Sequence, residues 1–118
     1  LSVSEEIVGT VRKIVFSWTS AADGTASETT EKPYSGEILG LATVPDTGDD
    51  QPSDQYDITI TDEDDLDVLA GQGANRSNAS TEYVTARETL GCVANDTLTI
   101  NVSGAGDTKS GTAYLFIR

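Results

Sequence analysis

Between residues 13 and 20 the chain reads KIVFSWTS, with Ile14, Phe16 and Trp18 alternating against Lys13, Val15 and Ser17. A two-residue period puts the first set on one face of a strand, and that face holds the only tryptophan, so it is expected to line the core. Residues 55–61 repeat the pattern. Tyr56, Ile58 and Ile60 alternate with Asp57, Thr59 and Thr61, which predicts a strand with one dry and one wet face. Leu98, Ile100 and Val102 alternate in the same way with Thr97, Thr99 and Asn101.

Turn residues divide the rest. Asp23-Gly24 suits a tight hairpin because both positions tolerate positive φ, so residues 26–32 are expected to return beside 13–20. Pro33 interrupts the ladder, and β character resumes over residues 34–44 until Pro45 stops it. Residues 46–54 predict an exposed loop, 67–70 a short apolar run, and 71–80 (GQGANRSNAS) a loop with almost nothing to bury. Val84, Leu90 and Val93 fit a strand or one short helix, and extended structure is the expectation for residues 82–93. Residues 113–117 are expected to return on 97–102 as a second hairpin across the Gly-rich loop 103–111. Six to eight short strands with turns between them predict an all-β fold, a single-domain antiparallel β-sandwich or small barrel with long polar loops.

A chain of 118 residues fits one domain. Its 20 acidic and 7 basic residues give a net charge of -13, a field that repels polyphosphate, so neither nucleic acid nor an anionic membrane is an expected direct partner. Ten of the acids fall within residues 46–67 without a base, and this segment is expected to face water. Cys92 is the single cysteine and cannot form an intrachain disulfide. With no histidine to activate it, it is expected to be a small buried hydrophobe and not a reactive thiol. No apolar stretch approaches the ~20 residues of a membrane span and no leader pattern opens the chain, so a soluble protein is expected.

The chemistry-bearing patterns fail on inspection. Taking Asp62 of TDEDDLD as the first ligand of a calcium loop puts Asp64 at the third position, but Leu66 at the fifth and Gly73 where a bidentate Glu belongs. No carboxylate pair stands out for glycoside hydrolysis. The absence of histidine removes the usual base of nucleophilic triads and the commonest zinc ligand. GQGANR at residues 71–76 lacks the lysine of a phosphate loop and reads as a mobile or partner-contacting loop. Four Asn-x-Ser/Thr triplets, at Asn75, Asn78, Asn95 and Asn101, are expected by chance in a Ser/Thr-rich chain. No catalytic residue, metal ligand or cofactor site is therefore assigned, and the protein is expected not to be an enzyme.

YSGEIL at residues 34–39, the Val44-Pro45 stop and YDITITDEDDLDVLAGQGANR at residues 56–76, with the terminal segment 97–118, resemble a group of small proteins encoded among the head and tail genes of tailed bacteriophages. The resemblance spans roughly two thirds of the chain and implies a virion structural protein. Its most natural form is a capsid decoration, or cement, protein on the outer surface of the head. Its expected partners are the major capsid protein and further copies of itself. A neck or tail component is the alternative within virions, and a carbohydrate-binding or adhesin-type β module is the alternative from another class. Copies of an acidic protein repel, so attachment is expected to use its less acidic parts. These are the segment 1–7, read as an arm ordered on binding and represented by Leu1, Val3 and Ile7, and the loop carrying Gly71, Gly73, Asn75 and Arg76.

Overall fold

The computed structural model describes residues 2–85 and 90–118. Among the described residues nine strands are formed: β1 (Ser2–Val8), β2 (Val11–Thr19), β3 (Ala26–Thr29), β4 (Tyr34–Pro45), β5 (Asp57–Thr61), β6 (Glu82–Val84), β7 (Cys92–Asp96), β8 (Thr99–Ser103) and β9 (Ser110–Ile117). The one helical piece among the described residues is a single 3-10 turn, Gly48–Asp50, in the expected exposed loop. All pairings between strands are antiparallel. Sheet A runs β1-β2-β9-β4-β6, with β7 on the same side of β4 as β6, and sheet B runs β3-β8-β5. The fold is an antiparallel β-sandwich.

Alternation decides what fills it. Ile14, Phe16 and Trp18 of β2, Ala113, Leu115 and Ile117 of β9, and Ile38 and Leu41 of β4 are buried opposite Ile58 and Ile60 of β5 and Ile100 and Val102 of β8. Trp18 and Tyr56 meet across the interior with ring centroids 5.4 Å apart. Gly111 is the register partner of Trp18, and a Cβ there would come within 2.6 Å of the indole ring, so only glycine leaves room for it. Burial pushes the Tyr56 phenol up to about 12.

The two expected hairpins do not form. β2 pairs with β9 and β3 pairs with β8, so each expected partner strand lies in the other sheet. The segments β2–β3 and β8–β9 instead form one long antiparallel ribbon that bends from sheet A into sheet B. At the bend the turn 21–25 lies on the loop 104–109, with Ala105 N–H donating to Gly24 O at 3.1 Å. Ser20 pins it from inside. This buried hydroxyl donates to Gly106 O at 2.6 Å and accepts the Lys109 N–H at 2.8 Å, while its own N–H donates to Lys109 O at 2.7 Å. Asp23-Gly24 does make a tight turn, with Asp23 Oδ1 accepting the Thr25 N–H at 3.1 Å, but it turns a corner of the sandwich.

Two further expectations are corrected. Residues 2–7 are not an unpaired arm, because they belong to β1, in register with β2 from Ser2↔Ser17 to Val8↔Val11. Cys92 is exposed, since the next residue, Val93, takes the inward position of β7. Extended structure holds at β6 and β7, whereas residues 86–89 of the ambiguous segment lie outside the described residues.

Replacing Ser20 by alanine should lower the unfolding free energy by about 1–3 kcal/mol, because the half-buried Lys109 N–H and Gly106 carbonyl each lose this partner. Urea denaturation of Ser20→Ala beside Ser17→Ala, on the open face of β2, checks it. Equal midpoints would show that the corner does not depend on this hydroxyl.

Candidate interaction surfaces

Outward residues make the two outer faces chemically opposite. On sheet A the registers place Val15, Tyr114, Ala42 and Tyr83 side by side in one row across β2, β9, β4 and β6. Phe116 and Val44 flank the row. Tyr83 is 57% exposed and meets the Phe116 ring edge-on with centroids 5.7 Å apart. Lys13 Nζ sits 4.3 Å from the Tyr114 ring centroid and pairs with Glu6 at 3.2 Å, so the charges on this face cancel. Sheet B turns out Ser27 and Thr29 from β3, Thr99, Asn101 and Ser103 from β8, and Asp57, Thr59 and Thr61 from β5. An antiparallel sheet with a solvated outer face ordinarily looks like sheet B, and the aromatic row of sheet A departs from that rule.

The residues selected from sequence fall into two places that the fold keeps apart. Val3 packs half-buried against the core, Ile7 is 59% exposed near the end of β1, and Leu1 lies outside the described residues. A cleft of about 430 Å³ beside β1 is lined by Val3, Ser4, Glu5, Glu31, Lys32 and Tyr34. Within it the Tyr34 hydroxyl and the Lys32 ammonium hold the Glu5 carboxyl below the usual carboxylate range, and burial with Glu5 alongside raises the Tyr34 phenol. Gly71, Gly73, Asn75 and Arg76 lie instead along the β5 edge of sheet B, against which Arg76 forms a bridge with Tyr56.

That second segment is a structural strap and not a loose loop. Ile58 N–H donates to Gly73 O at 2.9 Å, Val68 N–H to Ile60 O at 2.8 Å and Arg76 N–H to Tyr56 O at 2.7 Å, so residues 67–76 cover the open edge of β5. Gly73 is buried, and a Cβ on it would overlap the Ile58 carbonyl. Arg76 is half-buried, 3.7 Å from Glu82 and bonded to Ala74 O. Neither is fully exposed. Gly71 and Asn75 are exposed, at φ values of +80° and +57° that shape the turns.

Three acids from the expected solvent-facing run hold this strap or its neighbouring turn. Asp67 accepts the Ile60 and Leu69 N–H groups at 3.2 and 3.1 Å and the Gly71 N–H at 2.9 Å. Asp57 accepts the Asn75 N–H at 2.9 Å, and Asp62 accepts those of Asp64 and Leu66 at 2.9 and 3.0 Å. Sequence reasoning missed these roles; a short acid two to four residues before its turn is the available signal for Asp62 and Asp67, whereas the Asp57 bond spans eighteen residues and has no local signal. The Asn78 amide, in one of the Asn-x-Ser triplets, donates to Pro52 O at 3.1 Å. No three metal-ligating side chains converge among the described residues, and no helix there is long and apolar enough to cross a membrane.

No protein-family model matches the chain, and comparison with curated proteins finds no match.

Two outcomes follow from the acids. Asp67→Ala should cost about 2–3 kcal/mol, since hydrogen bonds to a charged acceptor are strong, and amide exchange should speed up at Ile60, Leu69 and Gly71. Unchanged exchange at those amides would remove Asp67 from this role. Asp96 has its pKa raised by desolvation, by its contact with Glu63 and by the charges of Asp62 and Asp64. A raised folded-state pKa means the folded protein binds the proton better, so this group adds stability as pH falls through that pKa and opposes folding above it. Asp96→Asn should therefore melt higher than the native chain near pH ~7 and lose that advantage near pH ~4. An advantage independent of pH would contradict this.

Proposed function

We propose that the chain is a virion structural protein that acts by binding and not by catalysis, as a decoration protein on the outer surface of a tailed-phage head. The contrast between the two outer faces carries this reading. A protein fixed to a shell needs one face suited to a protein surface and one suited to water. The row Val15–Tyr114–Ala42–Tyr83 supplies the first and the Ser/Thr/Asn face of sheet B the second. Acids flanking the sandwich agree with a role away from packaged DNA. The resemblance of residues 34–39 and 56–76 to small phage head and tail proteins supplies the partner, the major capsid protein.

The same aromatic row is the observation that favours a second reading, a carbohydrate-binding β module. Trp18 is interior and offers sugars nothing, but Tyr83 is an exposed ring and Phe116 a half-buried one on the outer face of sheet A.

Purified protein mixed with undecorated heads should co-sediment with them. Tyr83→Asp and Val15→Asp should each weaken binding at least ~10-fold, the loss of about 1.4 kcal/mol or more, while Thr59→Asp on sheet B leaves it unchanged. Binding to a polysaccharide panel with no binding to heads would overturn the decoration reading in favour of the second.

A further inference from the structure

The outer edge of β1 is the longest strand edge left open. β1 has seven residues with β2 on one side and no strand on the other among the described residues. β5 is covered by the strap, β3 has four residues, β6 three and β7 five. Proteins ordinarily guard such an edge with proline, a bulge or free charge. β1 has no proline and its pairing with β2 is continuous. Both of its carboxylates are already neutralised, Glu5 by Lys32 at 3.0 Å and Glu6 by Lys13 at 3.2 Å. Glu31, Lys32 and Tyr34 line a cleft beside it, and the Lys32 and Tyr34 side chains reach β1 at Glu5.

Charge singles out the occupant. On and beside β1 stand Glu5, Glu6 and Glu31 against Arg12, Lys13 and Lys32, with Glu28 on the neighbouring β3, so at most one of the thirteen net negative charges lies here. Copies that repel over the remaining surface can approach here without penalty.

We propose that β1 is a self-association edge, at which two copies join antiparallel about a two-fold axis normal to sheet A. Residues opposed across such a pair point to the same side of the sheet, which fixes the parity of the register. With Ser4 opposite its own copy, Ser2 meets Glu6 and Val3 meets Glu5, so every carboxylate faces a neutral side chain. Of the other allowed registers, those centred on Glu5 and Glu6 set like charges together, and the one centred on Val3 pairs only Ser2, Val3 and Ser4 within β1, against Ser2 to Glu6 when Ser4 is central. The Ser4-centred register is therefore the one adopted, and it makes sheet A continuous across the dimer with both aromatic rows on one side. This inference does not depend on what the aromatic face binds.

The test uses purified full-length protein without capsids, so its failure and that of the decoration reading are separable. In a Cys92→Ser background, Ser4→Cys should form an interchain disulfide on mild oxidation. Antiparallel partners lie about 4.5–5.5 Å apart at Cα, within disulfide reach. Tyr83→Cys, at the far side of the sheet, should not cross-link. Sedimentation equilibrium should show a dimer, and Ser4→Lys, which sets like charges across the axis, should raise its dissociation constant more than ~10-fold at low salt with the circular dichroism spectrum unchanged. A protein that stays monomeric at every concentration, or a dimer that Ser4→Cys does not cross-link, overturns the proposal.

Discussion

The sandwich hangs on a corner. One antiparallel ribbon, β2–β3 against β8–β9, must leave sheet A and enter sheet B, and both of its chains change sheet at the same level. Backbone groups at such a bend cannot continue the ladder, and buried ones left without partners would each cost about 1–3 kcal/mol. Ser20 resolves this by serving Gly106 O and the Lys109 N–H from one buried hydroxyl. Around it only small residues allow close approach, as where a Cβ on Gly24 would touch the Gly106 backbone at 3.0 Å. With the corner fixed, Trp18 and Tyr56 face each other and the remaining strands have sheets to join.

Strand existence was legible because each core strand carries its own period. Ile14, Phe16 and Trp18, or Tyr56, Ile58 and Ile60, announce a buried face without reference to any other segment. Strand pairing was not legible, for a physical reason. Asp23-Gly24 encodes a reversal of the chain, and a reversal serves a hairpin and a corner between sheets equally well. The choice is made by Ser20 and by the loop 104–109, some eighty residues away in sequence. β1 was missed for a related reason, since SVSEEIV mixes acids into its alternation and becomes a strand because β2 offers it an edge. The aromatic row escaped notice because Tyr83, Tyr114, Val15 and Ala42 come from four strands, and only the registers place them together.

Acidity in this chain has two separate meanings. Asp57, Asp62 and Asp67 are half-buried acceptors for backbone N–H groups and shape the strap over β5. Asp46, Asp49, Asp50, Asp64 and Asp65 are exposed and supply field, while Asp54 and Glu63 are exposed and also accept the Asn78 and Thr97 N–H groups. A reading that treats the run as one solvated segment captures the second group and loses the first. The distinction matters for Gly73 and Arg76, which look available in sequence but are committed to holding the strap down.

Segregation of charge links the proposed dimer to the proposed attachment. A field of this strength acts on any neighbour within about a Debye length, roughly 8 Å at physiological salt, so close contact is tolerable only where the local sum is near zero. The edge of β1 and the outer face of sheet A both meet that condition, and they adjoin through Lys13 and Glu6. Two copies joined at β1 would lay both aromatic rows against one support, so the second contact would form at high effective concentration after the first. Weak individual attachment could then hold firmly without any catalytic or covalent chemistry, while the acids on the remaining surface would keep separate dimers apart.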